Sequence, residues 1–332
     1  MNTVPVFEVL APGLETTVQS YPGRVGLTAL GYSPGGPMDS RSFRTANGLV
    51  GNPLSAAALE IPKIAITIVA LHDTQIAVCA PDGVTVHIDD RPAPTWQTLD
   101  VKAGNQARVG GSVAAGYRAY LAVRGGIDVP AVYGSTATSL IAGIGGIEGR
   151  ALLRGDVLSA PNVRPVARRS VPESIRPRFT TEWEIEIIPG PHCHPDFLTA
   201  SDWSDLLDTG WRVDLNSDRV ATRVQPHRFA WTAGLSNDPA AGGHPSNVLD
   251  QAYPEGAVIA TGDVLTISGP EANTSGGFAV VATVARCARW KLGQIRPGRD
   301  VIRFREISHA EALALDERLE FTVDPRRATP VR

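Results

Sequence analysis

Glycine and proline break this chain at short intervals, and that limits what it can become. With 33 glycines and 26 prolines in 332 residues, few stretches can hold a long uninterrupted helix. The favoured outcome is mainly β: many short strands joined by tight turns, with a few short helices. The length exceeds one ordinary core, so two domains are expected. The net charge of −3 leaves no electrostatic footprint for nucleic acid. No apolar run reaches membrane-spanning length, and the N-terminus lacks a basic head and apolar core, so a cytoplasmic chain without membrane contact is expected. Cys79, Cys193 and Cys287 form no CxxC pair, which fits a reducing compartment.

Gly31 to Ile61 is the most informative stretch. Ser33-Pro34-Gly35-Gly36-Pro37 reads as a tight turn. Asp39 suits a helix N-cap, followed by apolar Phe43, Ala46, Leu49 and Val50 at spacings of three and four. Gly51-Asn52-Pro53 stops that helix. Ala56, Ala57, Leu59 and Ile61 resume an apolar run with Glu60 set inside it. Asp39 and Glu60 are either a plain cap and an ion-pair partner, or parts of an anion- or amide-binding corner at the helix start.

Beyond this, strands are expected over Val6–Leu10, Thr16–Ser20, Ile64–Val69, Gln75–Ala80, Thr85–Ile88 and Gln106–Val109. From Tyr117 to Arg124 the residues alternate as in a strand with two different faces. Residues 161–180 interleave prolines with arginines and read as a linker. This places one β domain over 1–160, another over 181–320, and a loose tail over 321–332. Gly104 and Gly116 match Gly262 and Gly277 at nearly constant offset, a weak sign that the two domains are alike. Ser308-His309-Ala310-Glu311 reads as a capping box for a last helix through Leu315.

Three further segments carry polar groups beside turn glycines: Arg118, Tyr120 and Arg124 before Gly125-Gly126, then Asn216–Arg223, then Asn273–Phe278. If residues 217–223 form a strand, Ser217, Arg219 and Arg223 share a face on which two arginines can clamp an anion. The alternative is an internal Asp–Arg network. Asn273-Thr274-Ser275-Gly276-Gly277 can aim backbone N–H groups at developing negative charge, or can be a plain turn. His192-Cys193-His194 does not read as a metal site, because adjacent ligands converge poorly on one ion. No Walker A loop, G-x-G-x-x-G, HExxH or G-x-S-x-G occurs.

Taken in order, these motifs resemble the KipA-type family, also called allophanate hydrolase subunit 2, or subdomains A and B of biotin-dependent carboxyltransferase. The resemblance rests on Ala46-Asn47 with Gly51-Asn52, GYRAYLAVRGGIDVP from Gly116, Gly134-Ser135 with Thr138, GRALLRGDVL from Gly149, Pro189-Gly190-Pro191 with Asp196-Phe197, Ser217-Asp218-Arg219 with Arg223, and Thr274–Phe278. It implies two cyclophilin-like β-barrel domains and a KipI-type partner subunit. It implies a small amide or ureide substrate, through carboxyl transfer from carboxybiotin to a urea-like nitrogen or ATP-dependent 5-oxoproline hydrolysis. Biotin would then arrive on a separate carrier protein, with no cofactor bound covalently. A regulatory subunit that antagonises a KipI-like kinase inhibitor is the alternative. Under the enzymatic reading, Asp218 and Asn273 are the catalytic candidates. Ser217, Arg219, Arg223, Thr274, Ser275, Gly276 and Gly277 bind substrate, joined by Asp39, Arg118 and Tyr120. Asn273 and Phe278 depart from the family's Gln and Tyr, which shortens one side chain by about 1.5 Å and removes a hydroxyl.

Overall fold

The computed structural model describes residues 2–63, 65–232 and 243–331. Ile64, the first residue of one expected strand, and Arg332 in the expected tail lie outside them. The chain divides into two compact units, one made of residues 1–25, 35–179 and 318–332, the other of residues 26–34 and 180–317. It is mainly β, with the cyclophilin-like barrels and short helices that the family resemblance implies.

In the first unit the strands are β1 (Thr3–Ala11), β2 (Thr17–Gln19), β3 (Ala58–Pro62), β4 (Ile66–Ala70), β5 (Thr74–Cys79), β6 (Val84–Ile88), β7 (Arg91–Ala93), β8 (Thr98–Val101), β9 (Gln106–Gly111), β10 (Arg118–Val123), β11 (Val157–Pro161) and β12 (Arg169–Ser170). One antiparallel sheet runs β11-β1-β4-β9-β6-β7 and another β2-β3-β10-β5-β8. Their apolar sides meet in a core that includes Phe7, Val9, Ile68, Ile76, Leu59 and Leu121.

All six residues of β10 are buried, so its alternation separates two interiors rather than core from solvent. Ala119, Leu121 and Val123 enter the core between the sheets. Tyr120 and Ala122 face α1 (Ser40–Leu49), whose Phe43, Ala46 and Leu49 pack there with Ala58, Ala77 and Cys79. The N-cap of α1 is Asp39, whose Oδ1 accepts from the Ser42 N–H at 2.9 Å. At the other end Arg124 donates to the carbonyls of Val50 (3.1 Å) and Gly51 (2.7 Å). It serves the helix C-terminus, where unpaired carbonyls gather.

In the second unit the strands are β13 (Glu182–Pro189), β14 (Trp211–Arg212), β15 (Ala221–Arg223), β16 (Asn247–Ala252), β17 (Ala257–Thr261), β18 (Val264–Ser268), β19 (Ser275–Val284) and β20 (Val301–Glu306). Their order is β14-β20-β13-β19-β17-β18-β15, with β16 added on β19. Among the described residues of this sheet, only the β13–β20 pair is parallel. Helix α2 (Ala200–Asp208) opens with a reciprocal capping box between Thr199 and Asp202. The helices α3 (Arg289–Leu292) and α4 (His309–Val323) follow, and α4 runs well past Leu315.

Residues 161–180 fall almost wholly in the first unit, which extends to Phe179. Within them β12 pairs with β21 (Thr329–Pro330), from the stretch read as a tail. Proline and arginine composition marked this segment, but composition carries no information about a strand partner so distant along the chain.

Candidate functional site

The corner predicted around Asp39 is built, but it is closed. Glu60 on β3 lies opposite Tyr120 on β10. The Tyr120 hydroxyl donates to Glu60 Oε2 at 2.9 Å and accepts from the Asp39 N–H at 2.8 Å. Glu60 Oε2 also accepts from the Met38 N–H at 2.8 Å, and Glu60 Oε1 lies 3.5 Å from Arg118 Nε. Asp39, Glu60 and Tyr120 are at most 1% exposed and Arg118 5%. Burial, then the negative charges of Glu60 and Asp39, push the Tyr120 phenol well above its ordinary pKa. These groups pack together, buried, under the start of α1, so Asp39, Arg118 and Tyr120 fasten a helix to a sheet.

The second unit ties the Ser217–Arg223 segment to residues 269–271, which lead into Asn273. β15 pairs with β18 through Ala221↔Ser268 and Arg223↔Thr266. The chain then turns, and the Gly269 N–H donates to the Val220 carbonyl at 2.8 Å. The Glu271 N–H donates to the Arg219 carbonyl at 3.2 Å. Arg219 Nε donates to Glu271 Oε1 at 2.6 Å, with side chains only 11% and 2% exposed. Asn273 follows two residues later.

Residues 217–220 form a turn rather than a strand, so the arginines do not line one face. Arg223 donates to the Asn216 carbonyl, and its own N–H donates to Ser217 Oγ at 2.9 Å. Asp218 Oδ1 accepts from the N–H groups of Val220 (2.8 Å) and Ala221 (3.1 Å). This self-bonded turn is a habit of aspartate. The side chain is exposed, and its other oxygen, Oδ2, has no hydrogen bond among the described residues.

The Thr274–Gly277 segment is not a free loop either. Strand β19 begins at Ser275 and pairs with β16 through Ala252↔Ser275 and Gln251↔Gly276. A Cβ on Gly276 would sit 2.7 Å from the Tyr253 ring, and one on Gly277 would sit 3.0 Å from Asp250 Oδ1. The glycines permit close approach of β16 and Tyr253 rather than an anion-binding turn. Tyr253 fixes the segment, donating its N–H to the Thr274 carbonyl at 2.8 Å and accepting the Phe278 N–H on its hydroxyl at 2.6 Å. Asn273 remains exposed, with no hydrogen bond among the described residues.

Sequence reasoning missed Glu271, Glu255, Arg289 and Tyr253, and weighed His192 only as a metal ligand. Glu255 Oε2 lies 3.6 Å from Arg289. Its side chain keeps 31% of its surface, yet burial raises its carboxyl pKa, and the charges of Arg289 and Arg219 offset part of that rise. His192 Nδ1 accepts the Val280 N–H at 3.1 Å, so the neutral ring carries its proton on Nε2. Burial holds its pKa below the ordinary value. No local spacing signals these partners. A Glu in Gly269-Pro270-Glu271, just before the Asn273 segment, was the one available hint.

A cavity of about 580 Å³ lies in the first unit, between Ile127–Val132 and the Gly143–Gly149 loop. Apolar side chains line most of it, and its carboxylates are committed: Asp128 accepts from Thr3 at 2.9 Å and Glu148 from Arg150 at 3.1 Å. The chemistry favours the Asp218–Asn273 surface. No described group of His, Cys, Asp and Glu forms a metal cluster.

The fold is that of a mainly β protein of two compact units. Residues 30–306 match the family described as carboxyltransferase domain, subdomain A and B, and the chain belongs to it. It is 36% identical to urea amidolyase of Saccharomyces cerevisiae over 98% of this chain, but spans only 18% of that much longer protein. It is 32% identical to a 5-oxoprolinase subunit of Escherichia coli, with 93% of each chain covered. Among solved structures, Kluyveromyces lactis urea carboxylase superposes with a TM-score of 0.89 at 36% identity, covering 98% of this chain and 29% of that one.

Proposed function

We propose that this chain carries the carboxyl-transfer step of a urea-carboxylase-type reaction, moving a carboxyl group onto a urea-like nitrogen. The observation that carries the reading is the likeness to urea carboxylase over 98% of the chain at a TM-score of 0.89. The exposed donor set suits a ureide. Asp218 Oδ2 can accept from an amide N–H, and the Asn273 carboxamide with the Ser275 hydroxyl can donate to a ureido carbonyl. The same donors fit the ureido ring of biotin, which would arrive on a separate carrier protein. Carboxybiotin, when bound, supplies the activated carboxyl group.

The remaining work falls to this chain. As the substrate nitrogen gains the carboxyl carbon, the bond from that carbon to the donor nitrogen breaks; the proton that the substrate nitrogen gives up would pass to Asp218 Oδ2 and from there to the donor nitrogen left behind. Asn273 steadies the carbonyl on which negative charge develops. Arg219, paired with Glu271, braces the turn that carries Asp218. A KipI-type subunit is the proposed partner.

A second reading, ATP-dependent hydrolysis of 5-oxoproline, is favoured by the match to the Escherichia coli 5-oxoprolinase subunit over 93% of both chains. Co-purification with the KipI-type subunit, followed by parallel assays, separates the two. One assay offers urea with a biotin carboxylase and carrier, the other 5-oxoproline with ATP. Urea-dependent turnover that D218N lowers at least about a hundredfold, with the complex intact, is the expected result. Turnover only on 5-oxoproline establishes the second reading. An intact complex silent in both assays refutes both readings and favours the regulatory role.

A further inference from the structure

We propose that Glu271 is a positioning residue that sets the orientation of Asp218 through Arg219. The inference rests on the reading of Asp218 as the reactive carboxylate. Its geometry stands apart from any reaction.

Three separate ties join residues 269–271 to residues 219–220. The Glu271 carboxylate holds Arg219 Nε at 2.6 Å, the Glu271 N–H reaches the Arg219 carbonyl at 3.2 Å, and the Gly269 N–H reaches the Val220 carbonyl at 2.8 Å. The approach at Gly269 is so close that a Cβ there would lie 2.2 Å from the Arg219 carbonyl oxygen. The Asp218 carboxylate is oriented by the N–H groups of Val220 and Ala221. The peptides that aim Asp218 are therefore the ones that the 269–271 segment pins. Glu271 is 3% exposed, and its carboxylate holds Arg219 Nε, the route by which it acts on Asp218. The segment leads directly into Asn273, so the ion pair and the two backbone bonds together anchor the chain two residues before that amide. A misplacement of about 1 Å in such a constellation costs on the order of 100-fold in rate.

The test uses the full chain in three variants, E271Q, R219Q and the double variant, with E271D as a conservative rescue. Amide hydrogen exchange reads Val220 and Ala221 against reference amides in β13. In E271Q, exchange at Val220 and Ala221 should rise at least about tenfold beyond any change in β13. In the transfer assay, kcat should fall about 10- to 100-fold with KM for urea nearly unchanged, and E271D should recover part of the loss. In the R219Q background, E271Q should cost little more, because the pair acts as a unit. The proposal is overturned if Val220 and Ala221 exchange like the reference amides in E271Q. Additive effects of E271Q and R219Q overturn it as well. If the wild-type chain transfers nothing to urea, the functional reading fails, and the exchange data still judge Glu271.

Discussion

Replacing Tyr120 by Phe tests the buried network under α1. The hydroxyl makes two bonds, to Glu60 Oε2 at 2.9 Å and from the Asp39 N–H at 2.8 Å, where all three residues are buried. Removing it orphans the Asp39 N–H, which costs about 1–3 kcal/mol, and deletes a bond to a carboxylate, which costs about 1.5–3 kcal/mol. Glu60 keeps the Met38 N–H and Arg118, and the ring keeps its edge contact with Phe43 at 6.1 Å. The sum should therefore fall short of full additivity, at about 2–4 kcal/mol. For a unit of this size that corresponds to roughly 5–15 °C in Tm. Amide exchange of β10 under increasing denaturant isolates the first unit from the second. A change under about 0.5 kcal/mol would refute the claim that the hydroxyl holds helix and sheet together. The same variant predicts a pH effect. Unfolded tyrosine ionises near about pH 10, while native Tyr120 keeps its proton. The native state then binds the extra proton, so stability present below about pH 10 is lost as pH rises above it. Y120F should lack that alkaline slope.

Two further outcomes follow from the geometry. Burial tends to raise the Asp202 pKa, but hydrogen bonds from Ala230 (2.8 Å), Thr199 and Trp231 (3.0 Å) outweigh it and hold the carboxyl below its usual range. Its stabilisation is present above about pH 4 and is lost as pH falls through the lower native pKa. D202N should unfold at lower temperature at about pH 7, and its Tm should fall less than that of the wild type between about pH 5 and pH 3. Equal acid slopes would count against the assignment. Gly143 and Gly146 both have positive φ, +63° and +53°. A Cβ meets nothing within 4 Å at Gly143 but lies 2.0 Å from Thr138 Oγ1 at Gly146. G143A should cost about 1–2 kcal/mol from backbone conformation alone. G146A should cost at least about 1 kcal/mol more through overpacking, as read by denaturant midpoints, and equal losses would show that the loop yields.

The family, the mainly β architecture and several strands of the first unit were legible because each has a local signature. Period-two alternation marks β10, and turn glycines bracket the strands. The cap on α1 was equally legible, since Asp39 bonds Ser42 only three residues away and needs no knowledge of the rest of the fold. The roles of polar residues were harder to read. Arg118 and Tyr120 sit in a segment rich in polar groups and resembled ligands, yet the register of β10 on β3 turns both inward onto Glu60. Arg124 looked like part of the same site and instead serves the end of α1. Thr274–Gly277 had the composition of an oxyanion loop, and pairing with β16 made it the start of a strand.

Features that act within a turn or two are written in the chain locally: the helix start at Asp39, the self-bonded turn at Asp218, and the many breaks that force short strands. Some ion pairs are local too, such as Arg296 with Asp300 four residues on, but which carboxylate Arg219 meets is settled by the fold. Arg219 finds Glu271 across 52 residues because β15 pairs with β18 in one register, and shifting that register by one residue would turn every side chain to the opposite face. For this pair sheet register sets the distance, and no spacing along the chain encodes it.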